Sequence, residues 1–326
     1  MATRADRRTN QEGERGRRAE WPSEIPAAGW KDIGWRIFRE MGEDRVMLIA
    51  AGVTFYLLLA LFPALAAFVS LYGLVSDPVT VADHIAYLGG LLPPTAIEIV
   101  RQQLDALVTQ QDRSLGLGFL IGLAFALWSA NSGIKALFEA MNIAYDETEK
   151  RGFIKLNLLS LSLTLGAIIL GIALILAVGI VPAILAILGL APWAEMLIGL
   201  ARWPTLVLIS IFGILLLYRF GPSRERPKWR WLTWGAVIAA LVWLAASVAF
   251  SFYLQNFADY DATYGSLGAI IGLMMWTWIS VIVLIVGAEI DAEIERQTAR
   301  DTTTGAPEPM GERGAVVADT VGDPAD

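Results

Sequence analysis

Apolar residues in this chain do not alternate with polar ones; they run together in blocks divided by short charged stretches. Uncharged runs cover Val46–Ser76, Ser114–Ile134, Leu156–Ala194, Trp203–Tyr218, Trp231–Ala258 and Ala262–Ala288. A bilayer core about 30 Å thick takes roughly 20 apolar helical residues. The pattern therefore predicts six transmembrane helices, over about 46–75, 114–134, 156–180, 198–218, 231–257 and 264–288. Pro182 and Pro192 fall in the second half of the longest run and end its helix there. The fourth run is short, and its helix reaches full length by taking in Arg202, whose long side chain can snorkel to the headgroups.

Lysine and arginine set the orientation. With the N-terminus inside, segments 1–45, 135–155, 219–230 and 289–326 face the cytoplasm and hold 22 of the 25 Lys and Arg residues. Cytoplasmic loops carry such an excess. The expected fold is all-α: a polytopic membrane protein with six spans and both termini cytoplasmic. A membrane domain over 30–296 is flanked by a charged, disordered tail over 1–29 and a disordered acidic tail over 297–326. Trp30, Ile33, Ile37 and Met41 fall at helical spacing, as an amphipathic helix on the inner surface or as a solvated lead-in. In the largest outer loop, Thr95 and Glu98 form a capping box, and a helix is expected over about 95–110.

Composition narrows the class. Of 326 residues, 56% are hydrophobic and 17% charged, and there is no cysteine; the mean hydropathy is +0.54. Soluble domains are about 25% charged, so a soluble globular enzyme and a disulfide scaffold are excluded. The acidic C-terminal end argues against nucleic acid, which needs clustered cations. No GxxxxGK[ST] or HExxH occurs, and the one histidine, His84, lies in an outer loop. No catalytic set and no cofactor site can be assembled from these residues.

Polar groups in lipid are costly and default to functional or interhelical roles. Trp128, Asn131, Lys135 and Asn142 stack on one face of the second helix. Arg219 ends the fourth helix and Glu289 the sixth; Thr54 and Tyr56 lie in the first, where Pro63 is a candidate hinge. These residues are the candidates for a polar path or for helix contacts. Gly118 with Gly122 and Gly268 with Gly272 are GxxxG patterns, candidate points of close packing.

Several stretches then resemble the YihY/BrkB family of bacterial inner-membrane proteins. They are Ala50–Tyr56 followed by Leu61-Phe62-Pro63, Leu127–Ala130, Asn142–Tyr145, Tyr218-Arg219-Phe220, and Tyr264–Ala269 through Gly287–Ile290. The resemblance runs in order from about Trp30 to Glu295. It departs at Asn131-Ser132, where such families often have a basic residue. It implies a multi-pass protein of the bacterial inner membrane. Members long carried the label ribonuclease BN, yet one histidine and no cysteine leave such a metal enzyme without its usual ligands. The expected function is a transporter or lipid translocase of the cell envelope, with a lipid-like or small anionic substrate; the alternative is a non-catalytic scaffold or envelope-assembly protein.

Overall fold

An apolar run satisfies its own backbone polar groups by becoming helical. The computed structural model describes residues 15–73, 117–188, 192–256 and 268–325, and each of the six apolar runs is helical there. After a short 3-10 turn at Pro22–Glu24 come α1 (Ala27–Glu43), α2 (Val46–Gly73), α3 (Leu117–Ala144) and α4 (Phe153–Leu188). They are followed by α5 (Pro192–Phe220), α6 (Trp229–Asn256), α7 (Gly268–Glu295) and the single turn α8 (Val316–Asp319). The helix expected over 95–110, and His84, lie outside the described residues. No strand occurs among the described residues, only an isolated bridge between Pro227 and Thr303.

Four of these helices contain segments long and apolar enough to cross a membrane: Ile121–Ala144, Phe153–Leu170, Trp229–Leu254 and Ile270–Glu295. A fifth arises if α1 and α2, bent by 60° at their junction, form one broken span. Large apolar side chains point outward along the helices, among them Phe125, Leu158, Leu208 and Val248. An apolar belt of this kind is what lipid, not water, accommodates. The protein is an all-helical membrane protein.

Helix α7 is the hub. It packs against α1, α2, α3, α6 and α8. The core around it is rich in small residues: Ala50, Ala140, Ala236 and Ala288 are fully buried beside Met141, Tyr218 and Ile285. Small side chains let helices approach closely in lipid, where packing replaces the hydrophobic drive. The closest approach is between α6 and α7. A Cβ on Gly235 would strike the Gly287 carbonyl, and one on Gly287 would strike the Tyr218 hydroxyl. Two of the GxxxG glycines have open surroundings: nothing lies within 4 Å of a Cβ on Gly122, and Gly272 meets only Leu254 at 4.0 Å.

Several boundaries differ from expectation: α4 runs through Pro182 to Leu188 rather than ending near 180, and α5 begins at Pro192 rather than near 198, since proline is tolerated at a helix start. Helix α3 continues past Ile134 through Lys135 and Glu139, and α7 continues past Ala288 to Glu295. A span ends where charge begins, but a helix ends only where its hydrogen bonding stops; α3 stops just before Asp146, which takes a positive φ of 51°. Pro63 lies inside continuous α2.

The largest correction concerns the tails. Residues 297–325 are packed, with Gln297, Thr298, Thr302, Val317 and Ala318 buried. Their few apolar side chains are not what holds them. Backbone groups pair instead with distant segments: Ala299 N–H with Arg17 O, Lys228 N–H with Thr302 O, Glu225 N–H with Gly314 O, and Gly322 N–H with Arg296 O. Residues 15–29 are likewise folded against this layer. Together with α1 they cap the charged end of the bundle.

Candidate functional site

The polar face read along α3 is real, and each member has its own partner. Thr164 Oγ1 donates to Asn131 Oδ1 at 3.3 Å, and both residues are buried. Lys135 Nζ donates to Asn157 Oδ1 at 2.5 Å and lies 5.0 Å over the Trp128 ring. Asn142 Oδ1 accepts the Ser223 amide at 2.7 Å. Lys135, Asn157, Asn131, Thr164 and the buried Ser160 form a polar seam between α3 and α4. It descends from the charged end of the bundle into its apolar part. On α2, Thr54 is buried with its hydroxyl unpartnered, while Tyr56 faces outward beside Phe55.

Arg219 and Glu289 lie apart. The Arg219 guanidinium donates to the Pro227 carbonyl at 2.5 Å and stacks 4.3 Å over Trp229. Glu289 is buried in α7 with its Oε1 unpartnered, near Asp44 at the α1–α2 junction. Arg219 borders the cavity described below, whose lining does not include Asn131, Lys135 or Glu289.

The charged end holds two buried clusters that sequence reasoning missed. Arg36, in α1, is 1% exposed. It pairs with the Glu293 carboxylate and donates to Gln297 Oε1 at 2.7 Å and to the Asp323 carbonyl at 2.9 Å. Arg224 grips Glu295 with two bonds, at 3.1 and 2.7 Å, both side chains fully buried. Burial works against the Arg224 charge, but Glu295 prevails and holds its pKa above the ordinary value. The available signal was Glu289, Asp291, Glu293 and Glu295 crowded at the end of α7: four acids beyond an apolar run need cations or burial partners.

A cavity opens at this end, between the start of α4 and the end of α5. Its volume is about 310 Å³, and its lining includes Lys150, Arg151, Lys155, Arg219, Arg224 and Arg226 against a single acid, Glu225; Gly314 of the tail borders it. Arg151 is held by Glu149 at 2.6 Å and by the carbonyls of Phe220 and Gly221. Burial raises the Glu149 pKa, but the Arg151 guanidinium and amide outweigh it and hold the carboxyl at about 2.

A helical bundle with a lipid-facing belt and a charged cap defines an integral membrane protein. Residues 37–311 match the family described as Virulence factor BrkB, and the chain belongs to it. It is 34% identical over 254 residues to YfkH of Bacillus subtilis (strain 168), whose name includes the words ribonuclease-like protein; the alignment covers 76% of this chain and 90% of that one. It is 27% identical to a UPF0761 membrane protein of Tolumonas auensis, covering 79% and 83%, and 27% identical to one of Idiomarina loihiensis, covering 63% and 69%. No solved structure matches.

Proposed function

We propose that the chain crosses the bacterial inner membrane six times, with both termini cytoplasmic, and works as a transporter or lipid translocase rather than a ribonuclease. The Lys and Arg distribution supports the topology, since 22 of the 25 lie in the four inner segments. The observation that carries the translocase reading is the seam of Lys135, Asn157, Asn131, Ser160 and Thr164 between α3 and α4. Amides and hydroxyls placed inside a bundle can take over the hydrogen bonds of a polar headgroup as it leaves water. Here they start at the charged end and sit beside lipid-facing Phe125 and Leu158. Parting α3 from α4 would open the seam to the bilayer and let a headgroup slide along it with its tails in lipid. Against a nuclease stand one histidine and no cysteine, too few for the usual metal ligands.

The scaffold reading draws on the same residues: Thr164 bonds Asn131 and Lys135 bonds Asn157 across the helices, as interhelical glue would. Reconstitution separates the two. Purified protein in liposomes with fluorescent lipids should speed leaflet exchange over empty liposomes, and Asn131→Leu with Thr164→Val should abolish it. No exchange from folded wild-type protein moves the weight to the scaffold.

A further inference from the structure

We propose that the cavity between the start of α4 and the end of α5 is a binding site for a phosphate group, carried on an anionic lipid or free in solution. This goes beyond the transport reading, since the site binds whether or not anything is moved.

Charge is the first reason. Of the six lining cations, Lys150, Arg151 and Arg224 each have a carboxylate: Glu147, Glu149 and Glu295. Lys155, Arg219 and Arg226 have none among the described residues. Arg219 and Arg226 lie close enough to repel each other. Among the described residues Arg219 has one hydrogen bond, to Pro227 O, of the five N–H groups a guanidinium offers. Arg226 is stacked 5.1 Å over Phe220. Like charges gathered around an opening are unfavourable unless an anion completes the set.

The second reason is the helix end that meets the cavity. Helix α4 is 36 residues long and begins at Phe153, so its free N–H groups and positive dipole end lie at this cavity. Acids normally occupy a first turn. Here the first turn contains no acid; Lys155 sits in it, with Lys150 and Arg151 just before. Cations at a helix N-terminus reverse the stable pattern. A phosphate would meet the backbone N–H groups and the cations at once, and arginine forks match its oxygens in pairs.

Size and surroundings agree. A volume of about 310 Å³ takes a phosphate with several waters, at ~30 Å³ per water. Ile154 and Leu158, next along α4, are exposed large apolar residues, and Leu159 joins the lining. Acyl chains could lie there with the headgroup seated among the cations.

The test uses the full chain in non-ionic detergent, with ligand occupancy read by native mass spectrometry. The probes are short-chain phosphatidic acid, phosphatidylcholine and inorganic phosphate. Wild type should hold phosphatidic acid about tenfold more tightly than phosphatidylcholine. Lys155→Gln with Arg226→Gln should remove that preference, and Glu225→Gln should strengthen it; neither touches an ion pair. Melting temperatures establish that the variants are folded. Competition by inorganic phosphate at millimolar level assigns a soluble source, and its absence assigns the lipid; both sustain the site. Phosphatidic acid binding that the double substitution does not weaken and Glu225→Gln does not strengthen overturns it.

Discussion

Asp291 Oδ1 accepts the backbone amide of Gly235 at 2.7 Å where α6 crosses α7. The bond forms only because Gly235 has no side chain, for a Cβ there would run into the Gly287 carbonyl and the Asp291 carboxyl. Two backbones in contact cannot yield as a flexible side chain can. Gly235→Ala is expected to cost about 1–3 kcal/mol by overpacking, read as a lower melting temperature in detergent. Gly122→Ala, with nothing within 4 Å of its Cβ, should leave the melting temperature unchanged or raise it slightly.

Arg224 and Glu295 form a fully buried pair, with Thr302 donating to the same carboxylate at 2.8 Å. Breaking one partner strands the other charge. Arg224→Met should destabilise by about 3–5 kcal/mol. Adding Glu295→Leu removes the stranded charge, and most of the loss should return. A double variant no more stable than the single one would mean that the pair is not buried in the membrane-bound protein.

Acid should loosen the loop between α3 and α4. The Glu149 carboxyl titrates at about 2 when folded, against 4.5 for the free group. A folded pKa below the unfolded one means stability that is full above about 4.5 and is lost as pH falls toward 2. Melting temperature should therefore fall across that window, and less steeply in Glu149→Gln. A pH profile unchanged by the substitution counts against the Glu149–Arg151 pairing.

The tail should resist protease. The buried Arg313 guanidinium donates to the carbonyls of Ala318 at 2.7 Å and Ala299 at 3.0 Å. Trypsin should cut at Arg313 far more slowly in native protein than after denaturation. Rapid native cleavage there would mean that the tail is unfolded.

What the sequence revealed follows from the range of each interaction. The helical runs were legible because an apolar block states its preference locally. The α3 stripe was legible because 3.6-residue periodicity gathers Asn131 and Lys135 on one face. Their partners were not, since Thr164 and Asn157 stand on another helix and no local rule names them. The packed tail was hidden for the same reason: Ala325 N–H reaches Asp32 at 2.8 Å, and composition rich in Gly, Pro and acids reads as disorder when such bonds are invisible. At Gly122 and Gly272 the GxxxG pattern did not mark a contact, because it records small residues on one helix, while close approach needs a small residue opposite, as Gly287 is to Gly235. The basic cavity was half visible: Arg219, Arg224 and Arg226 cluster in sequence, but Lys155 joins them only through the fold.

The cap joins residues that are made at very different times. Arg17 and Asp32 leave the ribosome before any span has been inserted, yet their partners, Gly322 O and Ala325 N–H, follow α7. Until then Arg36 and Glu293 lack the segment that covers them. The nascent bundle must therefore enter the bilayer with an unlatched end, and locking comes only after insertion of the last helix. Closure over so long a separation is slow relative to local helix formation. The contacts of the tail are thus the last of the cap that the growing chain can make.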